Sequence, residues 1–478
     1  MKDFLVLMER HGNIMFIGRE RELDKCNKLY EQGKFQLFIL YGRRRVGKTT
    51  FLKEFCKDKD TIFYSAEQSN SKMNLKKFSD IIFEHYNEKN IEPFSSWERA
   101  LLYINEKQTD KQLVLVFDEF PYLAMQDKNL ITILQHLIDH TLQNGKLFMV
   151  LCGSYMGFME KEVLSAKSPL FGRRTAQLHM KTFDYRKSIE FVNSFSQEDM
   201  LQTYGIFGGT PLYLQQIVKE KGLRDNIIDL YLSPTGYLYE EPGLLMRQEL
   251  QEPGVYSAII EAIATGASRA NEISVKVGEE TAKCLKYIGV LIELGILYKE
   301  VPFGEKVSSR KTLYNISDFM FRFWYRYVAP NKTLLETDAQ EIVWKRRIEP
   351  DLNHYMGAVF EKICKEYLLQ QNALGNLPIL FTDIGRWWGT DNRTHSQVEI
   401  DIIAADKDEY LIGECKWRNE LLGRSILEEL QKKADVFKKT RGNTWYILFS
   451  KSGFTQELMY EASHNEKILL VSLSDLFK

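Results

Sequence analysis

Three clusters of side chains in this 478-residue chain have reactive potential. In YGRRRVGKTTF, Gly42, Gly47, Lys48 and Thr49 fit the pattern GxxxxGK[ST], with Thr50 next in line. Glycines there let backbone N–H groups wrap a phosphate, Lys48 reaches the outer phosphates of a nucleoside triphosphate, and Thr49 offers a hydroxyl to Mg²⁺. In KQLVLVFDEF, Asp118 and Glu119 close an apolar run. Asp118 would complete the Mg²⁺ shell and Glu119 would orient and polarise an attacking water. The third cluster, Asp401, Glu414 and Lys416, lies in VEIDIIAADKDEYLIGECKW. With Asp406 to Glu409 as a four-residue loop, this stretch pairs as a hairpin that sets Ile403 opposite Ile412, Asp401 opposite Glu414 and Glu399 opposite Lys416. Opposed carboxylates repel, and a divalent cation is the natural compensation.

Each cluster needs an element to hold it. FQLFIL reads as a buried strand before the glycine loop and TTFLKEF as the helix after it, which presents a helix N-terminus to the phosphates. KQLVLVFD and GKLFMVLCGS read as further buried strands, and the helix-length stretches between them imply a parallel sheet covered on both faces, a three-layer α/β sandwich. Ser154, at the end of GKLFMVLCGS, has two open roles: sensing the γ-phosphate or capping the next turn. His136 and His140 flank Asp139 at a spacing that imitates a metal-binding helix. Because NLITILQHLIDHTLQ is amphipathic and Asp139 is not the glutamate such a motif requires, these are read as helix-surface histidines.

Between Pro253 and Pro330, three short helical runs precede two alternating strands around a polar turn, the pattern of a winged helix-turn-helix. Its wing carries Lys306, Arg310 and Lys311, but Glu279 and Glu280 open the third helix, which disfavours base reading. DNA binding through phosphates and intramolecular docking both remain open for this module. The run DFMFRFWYRYVAPN interleaves Phe319, Phe321, Phe323, Trp324 and Tyr325 with Arg322 and Arg326. Such a run either stacks bases or, the favoured reading, packs between two domains.

The length predicts about three domains, placed at 14–235, 236–345 and 346–478. Lys plus Arg (64) and Asp plus Glu (65) nearly cancel, so any basic surface is local. The six cysteines form no CxxC pair and read as reduced thiols rather than a disulfide framework or zinc site. No apolar run approaches the roughly 18 residues of a membrane span, and MKDFLVLMERHGN lacks a cleavable apolar core, so a cytoplasmic protein without a membrane partner is expected.

The segments MFIGRERELDKC, YGRRRVGKT, FDEFPYL, LCGSYMGFME, PLFGRR and FGGTPLYL together resemble the archaeal-type ATPase family of the AAA+ and STAND-like P-loop NTPases, over roughly residues 15 to 235. The resemblance implies ATP and Mg²⁺ as cofactors, adenine packing by FIGRE, and a helical lid marked by Gly209, Thr210 and Pro211. It also offers Arg173 or Arg174 as an arginine finger, which would tie hydrolysis to a homo-oligomer; the other reading is pairing of these arginines with surface acids. Asp401, Glu414 and Lys416 fit D…ExK and resemble the PD-(D/E)xK nuclease superfamily. In that family two carboxylates hold Mg²⁺ and the lysine aligns water or stabilises the phosphorane charge. MGAVFEKICKEYLL resembles the opening helix of Mrr-like nuclease folds, with Glu361 as an added metal ligand, and Gln431 in the later helix as a further polar member. The first acid's usual proline is absent, since Ile400 precedes Asp401. The implied whole is an α/β protein: a P-loop sandwich with a helical lid, a winged helix-turn-helix and a C-terminal restriction-endonuclease-like domain. Its implied function is coupling nucleotide state to a metal-dependent domain that cuts or binds DNA or other nucleic acid; the alternative is a STAND-like switch with a non-catalytic C-terminal module.

Overall fold

The computed structural model describes residues 16–250, 252–306, 309, 311–437 and 442–478. Arg310 and Met15, both singled out by the sequence reading, lie outside the described residues. The chain divides into two compact units, Met1–Thr182 and Phe183–Lys478.

In the first unit, β1 (Gln36–Tyr41), β2 (Thr61–Ser65), β3 (Val114–Asp118), β4 (Phe148–Gly153) and β5 (Ala176–His179) form a parallel sheet in the order β2-β3-β4-β1-β5. Every residue of β1, β3 and β4 is buried, as strands covered on both faces must be. One face packs Phe38, Leu40 and Val150 under α1 (Lys48–Cys56), with Phe51 and Phe55 among them. On the other, Phe117 meets Phe78 and Trp97 from the helices Ser71–His85 and Trp97–Glu106. Those helices start at side-chain caps, Asn70 accepting from Met73 N at 2.9 Å and Ser96 from Arg99 N at 3.2 Å. The expected three-layer sandwich is present.

The second unit opens with the short helix Tyr185–Ile189 and includes α2 (Gln197–Phe207), α3 (Pro253–Ala264), α4 (Ala270–Val277) and α5 (Thr281–Glu293) ahead of an antiparallel ribbon of β6 (Leu297–Glu300) and β7 (Leu313–Ile316). α6 (Leu352–Leu374) leads into β8 (Asp383–Thr390), β9 (Gln397–Asp406) and β10 (Glu409–Lys416). α7 (Arg424–Phe437), β11 (Asn443–Ser450) and β12 (Ile468–Ser472) follow. The sheet order is β12-β11-β10-β9-β8, with antiparallel pairing from β8 to β10 and parallel pairing from β10 to β12. α7 covers the face carrying Ile403 and Ile412. α6 lies against the opposite face, where the Phe360 and Trp417 rings sit 5.3 Å apart.

The aromatic run 319–325 is interior: Phe319, Phe321, Phe323, Trp324 and Tyr325 are at most 7% exposed, so they are closed to bases. Of its arginines, Arg326 is paired, its Nε donating to Asp351 at 2.8 Å, while the Arg322 guanidinium lies 4.8 Å over the Tyr355 ring. The β6–β7 ribbon docks on the C-terminal sheet, with Phe303 N donating to Arg386 O at 2.8 Å and the Phe303 ring packed near Phe437. Two lysines of this module are paired with acids, Lys311 with Glu305 and Lys283 with Glu279.

Candidate active sites

The strand-to-helix turn after β1 builds the first site. A Cβ on Gly42 would lie 2.3 Å from the Met180 carbonyl oxygen, so only glycine lets the loop leave beside β5. Gly47 (φ 91°) and Arg45 (φ 72°) then turn the backbone so that α1 begins at Lys48. The Lys48 ammonium, 5% exposed, donates to Gly42 O at 2.8 Å and Arg43 O at 3.0 Å, poised at the loop that would cradle phosphates. Thr49 Oγ1 donates to Asp118 Oδ2 at 2.9 Å, so the two hard-oxygen ligands expected for Mg²⁺ are already joined; Thr50 follows on the same turn, half-buried. Glu119 sits in the left-handed region (φ 54°, ψ 42°), a conformation costing a non-glycine residue about 1–3 kcal/mol. Its carboxylate is gripped by Ser154, whose Oγ donates to Oε1 at 2.6 Å and whose N–H donates to Oε2 at 3.3 Å. Ser154 thus acts on the acid of this site.

Arg173 is committed to Asp139: its Nε and Nη2 each donate to a carboxylate oxygen at 2.6 Å. The paired arginine holds that carboxyl below its ordinary range, and His136 and His140 beside it are exposed, as expected of surface histidines. Arg174 Nη1 donates to Leu164 O at 2.9 Å. Pro211 opens the short helix Pro211–Leu214 with Thr210 before it, both buried and both in the second unit.

The second site lies where β9 and β10 leave each other. Ile403 pairs with Ile412 as expected, but the loop is the two-residue turn Lys407–Asp408 within the pair Asp406–Glu409, with Lys407 at φ 51°. Pairing runs to Ile402–Gly413. Beyond it Glu399 does not turn to Lys416; it accepts from Arg386 of β8, Nε to Oε1 at 2.6 Å, because a bulge between Gly385 and Trp387 aims that guanidinium inward. Lys416 Nζ donates instead to Glu414 Oε1 at 2.5 Å, joined by Lys433 of α7 at 2.8 Å. The other oxygen, Glu414 Oε2, is buried without a hydrogen-bond partner. Asp401 Oδ2 accepts from Cys415 N at 2.9 Å. Burial, then the Glu414 charge, raises the Asp401 pKa; burial, then Asp401, raises that of Glu361 on α6.

Asp401, Glu414 and Lys416 therefore share one corner, with Glu361 in electrostatic reach. Among the described residues no three His, Cys, Asp or Glu side chains form a group able to hold an ion, so the expected ligands Glu361, Asp401 and Glu414 do not form a ready-made cage. Gln431 makes no hydrogen bond among the described residues. Sequence reasoning missed Arg386 and Lys433. Lys433 had a signal, two residues beyond Gln431 on a helix expected to cover the hairpin; Arg386 had none, because its aim depends on the bulge.

Residues 16–217 match the family described as "ATPase domain predominantly from Archaea", and residues 324–434 match "Archaea bacterial proteins of unknown function". An uncharacterized protein of Methanocaldococcus jannaschii is 30% identical over 466 residues, covering 96% of this chain and 100% of its own length. An uncharacterized ATP-binding protein of Pyrococcus abyssi is 26% identical over 238 residues, 44% of this chain and 72% of that protein. The solved Walker-type ATPase of Pyrococcus abyssi is similar with a TM-score of 0.47 and 20% identity, covering 65% of this chain and 96% of its own. No helix among the described residues is long and apolar enough to cross a membrane.

Proposed function

Because the chain belongs to the family of the Methanocaldococcus jannaschii protein and carries an archaeal-type ATPase domain, we propose that it hydrolyses ATP to govern a metal-dependent, PD-(D/E)xK-like site that acts on nucleic acid. In this reading the second unit holds a winged helix-turn-helix and a restriction-endonuclease-like domain, with boundaries near 235 and 345. Lys48 and the Gly42–Gly47 loop bind the phosphates of ATP, Thr49 and Asp118 hold Mg²⁺, and Glu119, set by Ser154, orients water. The wing is used for docking inside the chain, as the Phe303–Arg386 hydrogen bond supports.

The observation that carries the nuclease part is the buried Glu414 Oε2 without a partner, beside Asp401 and within the reach of Lys416. An unsatisfied buried carboxylate oxygen next to a second acid fits a cation, and Asp401 and Glu414 would hold it. Bound there, a divalent ion supplies Lewis acidity and a more acidic water. The chain's own contribution is Lys416, whose ammonium would orient that water and stabilise charge building on the phosphate, and Cys415 N–H, which fixes the Asp401 carboxylate.

One observation favours the switch reading: Lys416 and Lys433 both neutralise Glu414 Oε1, as in a site kept for binding rather than cutting. The test is cleavage of single- and double-stranded DNA and RNA in Mg²⁺ or Mn²⁺, with and without ATP, by wild type, Asp401→Ala and Lys48→Ala. Cleavage that disappears in Asp401→Ala and changes in Lys48→Ala supports the nuclease. Intact ATP hydrolysis with no cleavage in any condition sinks it and leaves the switch.

A further inference from the structure

Beside the Asp401 corner the second unit carries a half-open cavity of about 870 Å³, whose wall includes Asp401, Glu361, Arg322, Lys362, Lys365 and Tyr298. Resting on the nucleic-acid reading above, we propose that this cavity is a subsite for a single strand of polynucleotide, and that it excludes duplex.

Size argues first. A few unstacked nucleotides fit such a space, and a helical turn does not.

Chemistry argues next. Single-strand sites combine cations that follow the phosphates with aromatic faces on which bases stack. Several charged groups of the wall are taken by the protein itself: Arg326 by Asp351, Arg386 by Glu399, and Glu366 by Tyr185 N at 3.0 Å and Tyr204 Oη at 2.8 Å. Others are open. Lys365 feels the Glu300 carboxylate but makes no hydrogen bond or ion pair among the described residues. The Arg322 guanidinium, over the Tyr355 ring, likewise donates to no described group. Lys362 donates to the Ser317 carbonyl at 3.2 Å and lies 4.7 Å over the Phe319 ring, with no carboxylate in hydrogen-bond contact. Arg322 comes from the aromatic run, and Lys362 and Lys365 come from α6, next to Glu361 and one helical turn along from it. They would lead a phosphate backbone toward the two carboxylates. Tyr298 on β6 lines the same space and is 40% exposed over the whole residue, so a base would stack on its ring. The ribbon bearing Tyr298 is docked on the C-terminal sheet through Phe303.

The test is fluorescence anisotropy of the full chain in EDTA with dye-labelled oligo-dT and oligo-rU of about twelve nucleotides and a duplex of equal length. Single strands are expected to bind at least about tenfold more tightly than the duplex. Lys365→Ala should weaken single-strand binding about fivefold and flatten its logarithmic salt dependence by about 0.7, the share of one phosphate contact. Tyr298→Ala should weaken it by about fivefold or more through lost stacking. Lys365→Gln repeats the charge test with the stem kept, and thermal melting verifies that each variant folds. Equal or tighter duplex binding, or folded variants that bind like wild type, overturns the proposal. Strand binding without any cleavage would end the nuclease reading and leave this one standing; cleavage with a duplex preference would do the reverse.

Discussion

Ser154 and Glu119 show how a single hydroxyl can set an active-site acid. Glu119 is held in a costly left-handed backbone and gripped through both carboxylate oxygens. A hydrogen bond to a charged group contributes about 1.5–3 kcal/mol, so Ser154→Ala should lower kcat for ATP about tenfold or more with little change in KM, read by steady-state hydrolysis. Arg173 poses a sharper choice. Its pair with Asp139 is solvent-accessible, where ion pairs add little stability, so Arg173→Ala should leave the melting temperature nearly unchanged. A fall in ATP turnover of about 10³-fold in that variant would identify a finger; unchanged turnover would make the Asp139 pair its whole role. In the C-terminal corner, Glu361 and Asp401 have raised pKa values, caused first by burial. For acids raised above their unfolded values, stability is present below the unfolded pKa, about 4.3 for Glu, and declines as pH rises through the folded pKa. Glu361→Gln should therefore flatten the loss of stability with rising pH in EDTA, as measured by urea denaturation across pH 5 to 9; a parallel decline in both proteins would refute the assignment.

The hairpin of β9 and β10 was readable because period-two alternation fixed its register: Ile403 and Ile412 face each other and are fully buried. Replacing Ile412 with Ala should cost about 2–5 kcal/mol, seen as a lower denaturation midpoint. The buried strands β1, β3 and β4 were equally plain, since continuous apolar runs ahead of Gly42, Glu119 and Ser154 allow few other arrangements. What sequence could not supply were partners set by long-range geometry. Glu399 was expected opposite Lys416, yet an irregularity of one residue in β8 gave it to Arg386. Lys433 reached Glu414 only because α7 packs over that face. For the aromatic run, burial decides between the two readings of its rings: Phe319, Phe321, Phe323, Trp324 and Tyr325, each at most 7% exposed, serve packing.

At the level of the full chain, the two compact units meet in sequence at Thr182 and Phe183, ahead of the segment FGGTPLYL that resembles an ATPase lid. That segment is built into the second unit. α2 lies so close to α6 that a Cβ on Gly205 would come within 2.8 Å of Met356 Sδ and of Val359 Cγ1, and Tyr355 Oη donates to Gly205 O at 2.7 Å. Tyr185 Oη reaches Leu476 O near the other end of the chain at 2.8 Å. A fragment ending at Thr182 should melt cooperatively, whereas one ending at 235 should carry an uncovered apolar α2 face and aggregate; scanning calorimetry with light scattering distinguishes them, and a well-behaved 16–235 fragment would contradict this division. Gly209, Thr210 and Pro211 follow directly on α2, and α2 packs on α6, the helix that carries Glu361, so the motif and that carboxylate belong to one packed frame.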